Sequence, residues 1–122
     1  MQLNYESEKP IFHQIAEFIE DGILSGAFPE ETQIPSTTEI SVNYKINPAT
    51  ALKGINLLVD SGIVYKRRGL GMFVSAGAVE ALNEKRRRDF YDNYILKVIE
   101  EAKKLRIRKD EIISMIERGF LQ

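Results

Sequence analysis

Residues 47–74, NPATALKGINLLVDSGIVYKRRGLGMFV, constrain the fold more than any other stretch of the chain. Asn47 is placed to cap a helix by accepting a hydrogen bond from a first-turn amide, and Pro48 stands at the first helical position, where its missing N–H costs nothing. Ala51, Ile55 and Leu58 recur at i, i+4 and i+7 with Gly54 beside them, so one side of this helix faces a core. The other side carries Ala49, Thr50, Leu52, Lys53 and Asn56. Gly62 supplies the left-handed residue that stops a helix. The β-prone runs Ile63-Val64-Tyr65 and Met72-Phe73-Val74 are joined by Lys66-Arg67-Arg68-Gly69-Leu70-Gly71, which reads as a hairpin with a charged stem.

The residues before this stretch supply its support. Residues 1–8 form a polar arm whose only tethers are Leu3 and Tyr5. Ile11, Ile15, Ile19 and Ile23 then make one helical stripe, broadened by Phe12 and Phe18 and ended by Gly26 and Pro29. His13 lies beside that stripe with no partner constellation, as a surface or half-buried histidine. Residues 30–35 are a connector in which Gln33-Ile34 pairs briefly with the later hairpin. Ser36-Thr37-Thr38-Glu39 is a capping box, opening a short helix to about Tyr44. Tyr44-Lys45-Ile46 turns into the helix at Asn47. Two short helices joined by a tight turn, the second followed by a hairpin, predict a winged helix-turn-helix.

Composition narrows the chemistry. The 122 residues, 43% of them hydrophobic, suit one small core plus an appendage. There is no Cys, so thiolate chemistry and disulfides are excluded, and with one His a transition-metal site would rest mostly on carboxylates. No cofactor motif is present: Gly69-Leu70-Gly71 lacks the spacing and the following helix of a nucleotide-binding loop. No nucleophile, base and orienter occur together, which argues against an enzyme. No apolar run spans a bilayer, and MQLNYESEKP is unlike a signal peptide, so a cytoplasmic location is expected.

The net charge of -1 hides an asymmetry. Residues 1–44 hold one basic and eight acidic side chains, residues 45–74 five basic and one acidic, and residues 75–122 eleven basic and nine acidic. Positive charge is therefore concentrated on the helix and hairpin described first, as phosphate binding requires.

From Gly77 the chain reads as a long charged helix. Tyr91, Ile95, Val98, Ala102 and Leu105 step by 4, 3, 4 and 3, a heptad seam widened by Phe90, Tyr94 and Ile99. A turn at residues 106–109 leads to a second helix over 110–118 with Ile112, Ile113 and Ile116 on one face and Gly119 as its stop. Burial against a second copy is the simplest way to cover both limbs; packing back on the winged domain is the alternative. The expected organisation is a DNA-binding domain over 1–76 and a helical dimerisation segment over 77–122. The fold class is mainly α with a small β-hairpin.

Several motifs in this order resemble the N-terminal domain of GntR-type bacterial transcription regulators. They are Lys9-Pro10-Ile11-Phe12, Gln14-Ile15, Gly26, Ile34-Pro35-Ser36, Asn47-Pro48-Ala49-Thr50, Gly62-Ile63-Val64 and the run from Arg67 to Val74. The resemblance covers about three-fifths of the chain, and Asn-Pro-x-Thr with the short tail is most similar to the YtrA-type branch. It implies a dimeric operator-binding repressor whose C-terminal helices mediate dimerisation, often for transporter operons. Three departures stand out: Thr38 replaces a common arginine, Leu52 stands where many members have arginine, and Glu31 replaces a common glycine. Pro48 also occupies a position where many relatives carry arginine.

The candidate DNA contacts are Ser36, Thr38, Asn47, Ala49, Thr50, Leu52, Lys53, Lys66, Arg67, Arg68, Gly69 and Gly71. Lys53 reaches guanine acceptors or a phosphate, while Ala49 and Leu52 offer only thymine-methyl contact, or Leu52 is an exposed apolar residue with no role in reading DNA. Ser36 and Thr50 serve as phosphate donors, as helix caps, or as both. The basic hairpin residues approach phosphates or the minor-groove wall, or else protect a strand edge by charge. Arg86-Arg87-Arg88 reads as a solvated helix face, with DNA contact as the alternative. The expected partners are double-stranded DNA and a second copy of the chain, with no membrane; an effector is left open. The alternative function is a winged-helix module that binds protein without reading DNA.

Overall fold

The computed structural model describes residues 1–122, and its contacts divide them into two compact units, Met1–Asn83 and Glu84–Gln122. The first unit contains helices α1 (Ile11–Ser25), α2 (Thr37–Tyr44) and α3 (Pro48–Asp60), strands β1 (Val64–Arg67) and β2 (Gly71–Val74), and the start of helix α4 (Ala78–Phe90). No helix is long and apolar enough to cross a membrane.

The isoleucine stripe of α1 forms the floor of the core. Ile15, Ile19 and Ile23 are buried together with Ala51, Ile55 and Leu58 of α3. Gly54 sets how close the two helices come: a Cβ there would lie 2.7 Å from the carbonyl oxygen of Phe12 and 3.0 Å from the Cβ of Ile15. Each helix stop has a local cause. Beyond α3, the Gly62 N–H donates to the Val59 carbonyl and the Ile63 N–H to the Leu58 carbonyl, with Gly62 at φ 78°. Lys45, at φ 54°, does the same service after α2 without being glycine.

The N-terminal arm is held differently from the sequence expectation. Leu3 packs against the core, but Tyr5 is 70% exposed and tethers nothing. The amide of Gln14 takes over: its Oε1 accepts from the Asn4 N–H and its Nε2 donates to the Asn4 carbonyl, each at 2.8 Å.

β1 and β2 pair antiparallel in the register Val64↔Val74 to Arg67↔Gly71. The strands are longer than the β-prone triplets implied, so Lys66 and Arg67 lie in β1 and the turn is Arg68-Gly69-Leu70. Gln33 bridges Phe73, and the Ile34 N–H donates to the Met72 carbonyl at 2.9 Å, adding the brief third pairing expected from the connector.

The first unit extends past residue 76 because Ala78 and Leu82 of α4 are buried in its core. The side chain of Glu30 fixes the start of that helix, accepting hydrogen bonds from the N–H groups of Gly77 at 2.7 Å and Val79 at 3.1 Å. Those amides are among the donors that a helix start leaves without an internal partner.

The second unit comprises the rest of α4, a π-helical turn (Tyr91–Ile95), α5 (Leu96–Lys104) and α6 (Lys109–Phe120). The π turn corrects the straight heptad reading. The Leu96 N–H donates to the Tyr91 carbonyl, closing over five residues instead of four. The spacing from Tyr91 to Ile95 therefore does not give the face that an unbroken α-helix would. Arg106, at φ 58°, reverses the chain after α5, with the Ile107 N–H donating to the Ala102 carbonyl. Gly119 is not a stop: α6 runs through it to Phe120, because no residue after Arg118 takes the left-handed conformation that ends a helix. Ala102 is buried and Ile95 and Ile112 are half-buried, whereas Tyr91, Tyr94, Val98, Ile99, Leu105, Ile113 and Ile116 are exposed.

Candidate nucleic-acid interface

The turn between α2 and α3 is fixed by short polar contacts. The Ser36 hydroxyl accepts from the Glu39 N–H at 3.0 Å, and a Glu39 carboxylate oxygen accepts from the Ser36 N–H at 3.2 Å. At the other end of α2, the Ser41 hydroxyl donates to the Ile46 carbonyl at 2.6 Å. Asn47 Oδ1 then accepts from the Ala49 N–H at 2.8 Å, with Pro48 opening α3. A three-residue turn, Lys45-Ile46-Asn47, thus delivers α3 in a fixed orientation, with the buried Ile46 as its anchor.

Because Ala51, Gly54, Ile55 and Leu58 turn into the core, α3 exposes Ala49, Leu52, Lys53 and Asn56, with Thr50 half-buried. Lys53 does not hang free. Its Nζ lies 4.0 Å from the centroid of the Phe12 ring, a cation–π contact supplied by α1. Thr38 is exposed on the first turn of α2. Ser36 and Asn47 are engaged as caps, which leaves their oxygens only their remaining hydrogen-bonding capacity for a ligand.

The wing is braced at three points. The Arg67 guanidinium carbon stands 5.0 Å from the Phe73 ring centroid. The Tyr65 hydroxyl donates to Glu31 Oε2 at 2.9 Å, a bond that raises the Tyr65 pKa above its ordinary 10.0. Glu31 itself sits at φ 68°, the left-handed conformation that explains why glycine suits this position. At the tip, Gln33 Nε2 donates to the Leu70 carbonyl at 2.7 Å. Lys66, Arg67, Arg68 and Gly69 are exposed around that tip, with Gly71 half-buried at its base.

Every candidate DNA contact falls in the first unit and every candidate dimerisation residue in the second. Phe12, Phe73, Glu30 and Gln33 were missed as supporting residues. Phe12, Phe73 and Gln33 carried signals only for the helix stripe, the strand and the connector pairing, and Glu30 carried none. No group of three or more His, Asp or Glu side chains is gathered to hold a metal ion.

A family model described as bacterial regulatory proteins, gntR family, matches residues 12–74. The chain belongs to the GntR family. Its winged helix-turn-helix is therefore that of a transcription regulator and not of an enzyme. The chain is 29% identical over 118 residues to the HTH-type transcriptional regulator YhcF of Bacillus subtilis, covering 95% of this chain and 94% of YhcF. YtrA from Sulfolobus acidocaldarius, a GntR-family transcription factor, superposes with a TM-score of 0.60 at 26% identity, covering 98% of this chain and 96% of that one. The DNA-binding domain of AraR in complex with operator ORX1 matches with a TM-score of 0.55 at 28% identity, over 62% of this chain and 93% of that one.

Proposed function

We propose that this GntR-family regulator is a homodimeric, sequence-specific operator-binding repressor of a bacterial operon, working in the cytoplasm. The observation that carries the reading is the exposed face of α3, with Ala49, Leu52 and Lys53, in the same compact unit as a basic hairpin whose tip is braced by Gln33 of the connector. A helix of this kind enters the major groove, and its side chains meet base edges while hydroxyls and helix-start amides meet phosphates. The operator complex of the AraR domain supports the DNA partner. Lys53 is the polar base reader, Ala49 and Leu52 contact thymine methyls, and Ser36, Thr38 and Thr50 lie toward phosphates. Lys66, Arg67 and Arg68 supply charge from the wing.

Dimerisation through the second unit rests on its exposed apolar surface. Tyr91, Tyr94, Val98, Ile99, Leu105, Ile113 and Ile116 lie in water in the single chain, and Phe120 and Leu121 are each 87% exposed. So many exposed apolar side chains on one small helical unit suit burial against a second copy. Two-fold pairing turns the operator into an inverted repeat with half-sites about one helical turn apart. Regulation of transporter genes accords with the YtrA-type resemblance.

Footprinting on the DNA next to the gene tests this reading. Protection of one inverted repeat at physiological salt is the expected result. Uniform, salt-labile coverage would remove the specific reader, and no protection at all would favour the protein-binding winged module.

A further inference from the structure

We infer that Leu70, at the tip of the wing, is a specificity-determining residue: its side chain contacts the floor of the minor groove next to the α3 site and accepts A·T while rejecting G·C. The inference rests on the operator-binding reading above and adds a second reading element to it.

Hairpin tips are ordinarily built of polar residues and glycine. Here the tip carries a leucine that is 57% exposed and stands between Arg68-Gly69 and Gly71. Its backbone is tied on both sides. The Leu70 N–H donates to the Arg67 carbonyl at 2.9 Å, and the Leu70 carbonyl accepts from Gln33 Nε2 at 2.7 Å. Gly71 permits that brace, since a Cβ there would lie 2.5 Å from Gln33 Nε2. An exposed apolar side chain on a mobile loop is unremarkable. One held at the end of a doubly anchored tip, among three basic residues, is presented to a ligand.

The grooves of a duplex alternate along one face, so an element beside a helix seated in the major groove crosses the phosphate backbone and meets the adjacent minor groove. That groove is about 6 Å wide, which admits a narrow hairpin tip. On its floor A·T and T·A show only acceptors, whereas G·C adds the guanine 2-amino donor. A leucine cannot accept that hydrogen bond, and by excluding water it leaves the donor buried and unpaired. The narrow A·T minor groove also concentrates negative potential, which suits the flanking Arg67 and Arg68.

The test uses the full chain and a duplex enriched from a randomised pool. At the positions flanking each half-site, A·T is replaced in turn by G·C and by inosine·C, which keeps the major-groove face of G·C but lacks the 2-amino group. Expected is about tenfold weaker binding to G·C, the size of one unfavourable base pair, with inosine·C restoring affinity. Leu70→Ala should bind A·T and G·C forms alike. Leu70→Asn, which brings an acceptor, should tolerate G·C better than the parent. Gln33→Leu should lessen the discrimination while leaving the melting temperature of the core nearly unchanged. Equal weakening by inosine·C and G·C, or unchanged discrimination in Leu70→Ala, would overturn the assignment. Absence of any enriched duplex would instead contradict the operator-binding reading on which it rests.

Discussion

The ammonium of Lys53 on α3 sits 4.0 Å from the ring centroid of Phe12 on α1. A support helix thereby positions the one cation on the exposed face of the recognition helix. A cation over a ring still has N–H donors directed away from it, so under the proposed reading the contact holds Lys53 in place while leaving donors for a base or phosphate. Phe12→Leu should weaken operator binding about two- to fivefold, the equivalent of ~0.5–1 kcal/mol for such a contact. In the Lys53→Met background the same change should do nothing. Equal effects in both backgrounds, measured by fluorescence polarisation, would show that Phe12 acts only through packing.

Gly54 is predicted to resist the substitution that usually stabilises a helix. Alanine gains about 1 kcal/mol over glycine in a helix interior. Here its Cβ would stand 2.7 Å from a backbone oxygen of Phe12, and that oxygen belongs to a packed helix and cannot swing aside. Overpacking of this kind costs about 1–3 kcal/mol, so the clash wins. Gly54→Ala should lower the melting temperature; a rise would mean that α1 and α3 separate freely.

The proposed role of Arg67 and Arg68 is to supply charge to the phosphates. Replacing both with Ala should weaken binding to every sequence and reduce the slope of log K against log salt by about 1.8, if each neutralises one phosphate. An unchanged slope would place both side chains away from the backbone.

Glu30 offers a pH-dependent test of how α4 is held. The N–H of Gly77, then that of Val79, stabilises the ionised carboxylate and holds its pKa below the ordinary 4.5. A depressed carboxylate pKa contributes stability above the unfolded value and loses it as pH falls through the folded one. The parent should therefore lose stability below about pH 4.5 more steeply than Glu30→Gln. Hydrogen exchange at Gly77 and Val79 should quicken in the variant at neutral pH. Matching acid profiles and unchanged exchange would show that the carboxylate does not hold α4.

The parts of the fold that were legible in the sequence are those whose cause is local. Ser36 with Glu39, Asn47 with Pro48, and Gly62 each satisfy backbone groups within three or four residues, so their spacing alone identifies them. The isoleucines of α1 announce themselves by period. What stayed hidden depends on distant partners. Gln14 and Glu30 are ordinary polar residues until folding brings Asn4 and Gly77 to them, and the pairing expected at Gln33 did not disclose its side-chain bond to Leu70. Arg106 takes a left-handed conformation that its residue type does not advertise. The π turn at Tyr91–Ile95 leaves no mark in the heptad count, and Gly119 looks like a stop although α6 continues through it. On α3 the split between core-facing and exposed residues was readable by period, whereas the aromatic rings beside Lys53 and Arg67 were not.

The dimer is tested by charge at its expected seam. Ile95→Asp with Val98→Asp should give a monomer in sedimentation and leave the helical content of the first unit intact. A dimer of unchanged stability would move the interface off this surface.

The most direct measurement of the central claim is a pair of fluorescence-polarisation titrations at physiological salt, one with the inverted repeat beside the gene and one with a scrambled duplex of equal composition. A specific reader should bind the repeat at least about a thousandfold more tightly. Equal affinities for the two duplexes would contradict the account.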